Sequence, residues 1–510
     1  MNVFNLLANA VVAAGDRVAI RSDARVQTYR ELSAAAAAFG AFLTGRGLQR
    51  GDRVAIFLKN GFEFPAILFG LFRAGFVAVP VNAKLHPREV AFVVENCGAR
   101  AVVIDAAAAK GLEDALDNEH ACFLVVVGDP TSDRSVETAI GKATDLRSVP
   151  AEARPEDPAW IFYTSGTTGR PKGAVLSHRN LIAMAVNCLA DICSFQPHDR
   201  VLHAAPLSHG SGMYLIPALA RGAENIIDAG ASFDPNRILR LAADEGVTVF
   251  AFLAPTMIVR LLDADVAMAA PSLRAIVYGG APIHLEHLRA AVRRFGPVFV
   301  QLYGQGEAPM TISYLPAAVH ESDDDELLRS AGFVRAGVDV QILDEDGGLA
   351  APGEAGEIVV RGDVVMRGYW DNPTANAAAF AGDWLRTGDI GRFDGAGRLH
   401  ILDRRHDTII SGGANIYPRE IEDVLTRHPA VKEAIVFGVP DAEWGESVAA
   451  AIVLNEGAAD VTADQLVQFC RDHLASFKKP KMVQILPELP KSAYGKVLRR
   501  ELRARFGGGI

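Results

Sequence analysis

Short apolar runs alternate with alanine-rich, helix-period stretches through the first part of the chain. Residues 54–58, 101–104 and 123–127 consist of Val, Ile, Leu, Ala and Phe. They are too short for helices and rich in β-branched side chains, so they predict strands. Helical patterns at 31–43 and in the segment ending Arg73-Ala74-Gly75 lie between or beside them. Such alternation predicts parallel sheet with crossover helices. The rhythm continues from about 151 to 315, with strands predicted at 159–162, 247–252, 275–278 and 298–300. From about 330 to 403, runs at 338–342 and 357–361 are separated by glycine-rich turns without helices. That texture predicts a small antiparallel barrel or sheet. After about 404 a short α/β module follows, with strands at 434–437 and 449–453.

A chain of 510 residues is too long for one ordinary domain, and its 50% hydrophobic content allows sizeable cores. The net charge of −10 counts against non-specific binding to nucleic acid or a membrane surface. Cys97, Cys122, Cys188, Cys193 and Cys470 are scattered and suit reduced thiols in a cytosol. His178 and His203 are badly spaced to join Cys188 and Cys193 around zinc. The first residues lack a basic n-region, and the apolar run 247–259 stops at Arg260. A soluble, cytoplasmic protein without a signal peptide or transmembrane segment is expected.

Chemistry concentrates first in Tyr163-Thr164-Ser165-Gly166-Thr167-Thr168-Gly169-Arg170-Pro171-Lys172-Gly173. It follows an apolar run and precedes Leu176-Ser177-His178, so it reads as a loop between a strand and a helix. Glycines bring backbone N–H groups close to anionic oxygens, hydroxyls add donors and Lys172 adds a mobile charge. A polar surface loop is the plainer alternative, but so dense a set of phosphate-binding groups favours polyphosphate. The spacing is not that of a Walker A loop, because Gly169 is followed by Arg170-Pro171-Lys172-Gly173.

Other segments fall where open α/β sheets bind ligands, at the carboxyl ends of predicted strands. These are Gly279-Gly280-Ala281-Pro282 and Gln301-Leu302-Tyr303-Gly304-Gln305-Gly306-Glu307. Further along come Trp384-Leu385-Arg386-Thr387-Gly388-Asp389, whose carboxylate can accept from two hydroxyls at once, and Asp403-Arg404-Arg405-His406-Asp407. Gly412-Gly413 and the basic Lys491-Ser492-Ala493-Tyr494-Gly495-Lys496 complete the series.

The loop at 163–173, with these segments in order and at family spacing, resembles the adenylate-forming enzymes: acyl- and aryl-CoA synthetases, firefly luciferases and peptide-synthetase adenylation domains. The resemblance implies that Thr164, Ser165, Gly166, Thr167, Thr168 and Lys172 wrap the β- and γ-phosphates of ATP. It implies that Gly280, Ala281 and Pro282 pack on adenine and that Tyr303 stacks on it, within a nucleotide segment that includes Gln301, Gly304 and Gly306. Glu307 and Thr164 would hold Mg²⁺, a hard cation suited to carboxylate and phosphate oxygens. Asp389 would take the ribose and Arg404 the ribose and phosphate. Lys496 would bridge the acid's carboxylate and the α-phosphate, and His209 would donate to or pack against that carboxylate. Gly413 would face the site in a second step, and Trp444, Phe477 and Lys479 would hold the nucleotide of CoA. Two positions depart from the family pattern. Gly306 stands where threonine is usual, so Gly306→Thr is expected to keep or raise the adenylation rate. His406 stands at the hinge, where aspartate or lysine is usual.

The fold implied is α/β. A large N-terminal adenylation domain, 1–403, contains two α/β subdomains and a small antiparallel β-barrel; 404–510 forms a mobile lid. The expected activity is an AMP-forming acid–CoA ligase using ATP, Mg²⁺, CoA and a small carboxylic acid. An apolar aliphatic (fatty) acid is expected. An aryl-acid CoA ligase and a stand-alone acyl-AMP ligase loading a carrier protein are the alternatives. Met213, Tyr214, Tyr278 and Met310 are expected around the acid, with no arginine pair placed for a dicarboxylate. No nucleic-acid partner is expected, and a homodimer is one assembly the sequence allows.

Overall fold

The computed structural model describes residues 1–116, 122–141, 150–164, 170–266, 272–412, 414–441, 443–455, 457–458, 461–491 and 497–507. The chain divides into two compact units, Met1–Val340 with Val360–Leu385, and Gln341–Val359 with Arg386–Ile510.

Two sheets organise the first unit. In the smaller, the spatial order is Phe123–Val127, Ala101–Asp105, Arg53–Phe57, Val77–Pro80, Pro158–Thr164, Lys172–Ser177. The first five run parallel to their neighbours. Ala55, Val79, Val102 and Ile104 are buried, which is why these strands read as unbroken apolar runs. The helix Tyr29–Gly45 opens with a Thr28–Glu31 capping box, and Phe64–Ala74 closes at Gly75 with φ +77°. One expectation is corrected. The glycine-rich loop leads to a strand, not directly to a helix: Lys172–Ser177 pairs antiparallel with Pro158–Thr164, and the helix begins at His178. The alternation Lys172, Gly173, Ala174, Val175, Leu176 can bury itself against Ile161 and Phe162, and a four-residue apolar run makes a strand as readily as a helix start.

The larger sheet has the order Phe333–Val334, Ser313–Leu315, Phe299–Tyr303, Ala275–Gly279, Val249–Leu253, Arg200–His203, Glu224–Ile227, Val18–Ser22, Arg25–Thr28. Its central strands are parallel and the strands at both edges antiparallel. Leu202, Phe250, Ile276, Tyr278 and Phe299 fill one core on it. A curled antiparallel half-barrel follows, in which Trp384–Phe393 pairs with Phe380–Ala381 and Leu399–Arg404.

In the second unit, Val431–Asp441 and Gly445–Leu454 form a long antiparallel pair, and Met482–Ile485 adds a parallel strand. Side chains of Gly445–Leu454 alternate between two cores. Val448, Ala450 and Ile452 meet Ile421 and Leu466 on one face, while Ala449, Ala451 and Val453 share a core with Phe437 and Leu502 on the other. Arg499, at the start of the helix Arg499–Phe506, reaches Asp403, Asp407 and Glu422 at 3.3, 3.0 and 2.7 Å. Among the described residues no helix is long and apolar enough to cross a membrane.

Candidate active site

The ends of three neighbouring segments in the first unit gather the phosphate-side candidates. Thr164 and Lys172 face one another across the base of the hairpin. Thr164 Oγ1 lies 3.4 Å from Glu307 Oε1. The Tyr369 hydroxyl donates to the same carboxylate oxygen at 2.8 Å, and Lys172 Nζ lies 5.2 Å from the Tyr369 ring centre. A carboxylate, a hydroxyl and an ammonium thus share the foot of the loop. Ser165, Gly166, Thr167 and Thr168 lie outside the described residues, as do Gly413 and Lys496. A divalent cation fits Glu307 and Thr164. Among the described residues no three His, Cys, Asp or Glu side chains converge into a cage. The fit is therefore to a cation that takes its remaining oxygens from phosphate and water, the habit of Mg²⁺.

Parallel strands Ala275–Gly279 and Phe299–Tyr303 end side by side. Past the first, Gly280 turns with φ +80°, and Ala281 and Pro282 are exposed. Past the second, Gly304 makes a turn so tight that a Cβ there would lie 2.5 Å from the Met310 nitrogen. Gln301 and Tyr303 are half-buried at that strand end. Of the residues expected around the acid, Met213, Tyr214 and Tyr278 are core. The Tyr278 hydroxyl is bound to His320 Nε2 at 3.1 Å, and burial pushes the His320 imidazole down to about 4, hence neutral at pH 7. Met310 is buried as well, at 9% exposure. Met310 lies near the start of the helix that follows His209. Positions where Cβ atoms would stand on Gly210 and Gly280 lie 3.3 and 3.4 Å from the Phe252 ring, and that on Gly210 lies 3.5 Å from Met310 Sδ. His209 precedes the helix Gly210–Ala220. Its Nδ1 lies 2.9 Å from Ser208 Oγ, and its ring meets Phe162 edge to face at 5.6 Å.

In the second unit Asp389 is 3% exposed and pairs with Arg404 at 2.7 Å, directly opposite it in the sheet. Trp444 and Phe477 are 45% and 56% exposed, so core packing is not what holds them. Lys481 Nζ lies 5.8 Å from the Trp444 ring, and Trp444 covers Gly412, where a Cβ would fall 2.5 Å from Cε3. Lys479 Nζ donates to the Ser476 carbonyl.

Residues 7–370 match the AMP-binding enzyme family and residues 420–496 its C-terminal domain. The chain belongs to the AMP-binding, adenylate-forming enzymes. A feruloyl-CoA synthase of Amycolatopsis is 36% identical over 499 residues, 96% of each chain. A long-chain-fatty-acid–CoA ligase of Escherichia coli O157:H7 is 32% identical over 547 residues, 100% of this chain and 95% of that one. Among solved structures, ATP-bound MatB from Rhodopseudomonas palustris superimposes with a TM-score of 0.90 at 31% identity, covering 100% of this chain and 99% of that one. The chain is thus a member of the AMP-forming acyl- and aryl-CoA ligases, and ATP is its nucleotide.

Beside these candidates, sequence reading missed the contacts of Tyr369 and Asn60. Asn60 accepts from the Leu207 backbone N–H at 2.8 Å and donates to the Ala205 carbonyl at 3.0 Å, clamping the segment that leads to His209. Both act across long separations, 62 residues for Tyr369–Glu307 and 147 for Asn60–Leu207, which no local pattern signals. Tyr369→Phe removes a hydrogen bond to a charged group and is expected to lower adenylation kcat/KM about tenfold. Pyrophosphate release at saturating and limiting ATP checks this; an unchanged rate would leave Glu307 held by other contacts.

Proposed function

We propose that the chain joins an apolar carboxylic acid, first of all a fatty acid, to CoA through an acyl-adenylate. The observation that carries the choice of acid is the apolar wall beside His209, where Phe252 lies next to Gly210 and Gly280 and Met310 lies next to Gly210. Such a wall removes water from a hydrocarbon and offers no partner for a second carboxylate. In this reading Lys172 holds the outer phosphates, Glu307 and Thr164 hold Mg²⁺, and Tyr303, Gly280, Ala281 and Pro282 hold adenine. Bound there, Mg²⁺ neutralises phosphate charge. Asp389 and Arg404 take the ribose. His209 orients the acid's carboxylate, and Lys496 brings it against the α-phosphate. The segment from 404 then turns about His406, which withdraws Lys496 and admits the CoA thiol past Gly413, with Trp444, Phe477 and Lys479 on the CoA nucleotide. Each half-reaction needs different residues, which is the reason for two conformations of one site.

A pyrophosphate-release screen over fatty, aryl and dicarboxylic acids, with and without CoA, tests the reading. Fatty acids are expected to give the highest kcat/KM and an acyl-CoA product. Aryl acids are the second reading, favoured by the feruloyl-CoA synthase relative. Preference for a dicarboxylate would overturn the proposal, and acyl transfer only to a holo-carrier protein would move the acceptor from CoA.

A further inference from the structure

Gly306 is not required by its backbone, because its φ lies outside the left-handed range that calls for glycine. What it cannot tolerate is a side chain. A Cβ at 306 would stand 2.5 and 2.9 Å from Phe162 Cδ1 and Cε1, and 2.7 Å from Thr164 Cγ2. Real Cβ contacts are not that short, and an aromatic ring cannot yield by turning only its tip. The expectation that Gly306→Thr would preserve or raise the rate is therefore reversed.

We propose that Phe162 and Gly306 are a matched pair, and that Phe162 is a positioning residue that seats His209 for the adenylation step. The inference rests on the acid–CoA ligase reading. Phe162 occupies the volume a side chain at 306 would fill, and its ring meets His209 edge to face. On the other side, Thr164 both borders Gly306 and touches Glu307. A side chain at 306 therefore presses on two residues at once: Phe162, which touches His209, and Thr164, which touches Glu307. The glycine leaves only a backbone N–H at this position, with the Phe162 ring beside it.

The test is a double-mutant cycle in the full chain with G306A, F162A and F162A/G306A, read by ATP–pyrophosphate exchange and by melting midpoint. G306A is expected to lose at least tenfold in kcat/KM for the acid. It should also drop the midpoint by roughly 3 °C, the usual scale of overpacking. F162A alone is expected to lower kcat for the acid with little change in KM for ATP, because His209 loses its seat. The double variant is expected to be no slower than F162A and to regain half of the midpoint lost by G306A. Losses that simply multiply, or a G306A enzyme equal to wild type, would overturn the pairing. Should G306A not fold, a folded F162A/G306A supports the pairing, and an unfolded one overturns it. A wild-type chain inactive with every acid would instead sink the ligase reading, while the midpoints would still decide the pairing.

Discussion

Lys496→Ala is expected to lower acyl-adenylate formation by on the order of 10²–10³-fold and to leave thioester formation from preformed adenylate largely intact. The reason is electrostatic. The attacking carboxylate and the α-phosphate are both anions, and at about 4 Å in an environment of effective dielectric about 20 two unit charges repel by about 4 kcal/mol. A lysine ammonium between them turns that repulsion into attraction and stabilises the spread of charge during in-line displacement. The second step has no such pair to join, since the thiol attacks a carbonyl whose leaving group is already activated. The two halves are measured separately, by pyrophosphate exchange and by mixing isolated acyl-adenylate with CoA. Equal damage to both would show that Lys496 serves the fold or general binding.

Much of this site is legible in the chain because nucleotide chemistry is written locally. A loop such as 163–173 and turns such as 279–282 and 301–307 carry their glycines, hydroxyls and carboxylate within a few residues of a strand end. Parallel strands bring the last two of those ends together, and the Thr164–Glu307 contact adds the first. What escapes reading is contact between side chains far apart in sequence. Nothing local in Tyr369 announces Glu307, and nothing in Phe162 announces Gly306. The hairpin strand Lys172–Ser177 was hidden for a different reason: its partner is the strand before the loop, so its pairing follows from register, not from its own period.

Arg499→Met is expected to destabilise the second unit by about 3–5 kcal/mol near neutral pH, the usual cost of removing one partner from a buried ion cluster. Arg499 Nη2 donates to Glu422 at 2.7 Å, and Nη1 reaches Asp403 and Asp407, so one guanidinium compensates three carboxylates. Burial lifts the Glu422 carboxyl above its ordinary range against the downward pull of Arg499. With a folded pKa raised above the unfolded one, Glu422 favours the fold fully below the ordinary carboxylate range, and that contribution is lost as pH rises through the raised value. Without Arg499 the carboxyl climbs further, so the deficit of the variant against wild type should be larger at pH 7.5 than at pH 5. Arg499→Met with Glu422→Gln is expected to recover a large part of the loss, because no charge is then left buried at 422. Amide hydrogen exchange in Val431–Asp441 and Gly445–Leu454 reads the unit directly. A deficit independent of pH, or no recovery in the double variant, would assign the loss to packing of the arginine stem. The position also bears on catalysis: Asp403 and Asp407 flank His406, and Arg499 is three residues past Lys496. Loosening this cluster should therefore slow adenylation more than thioester transfer, the same asymmetry expected from removing the lysine itself.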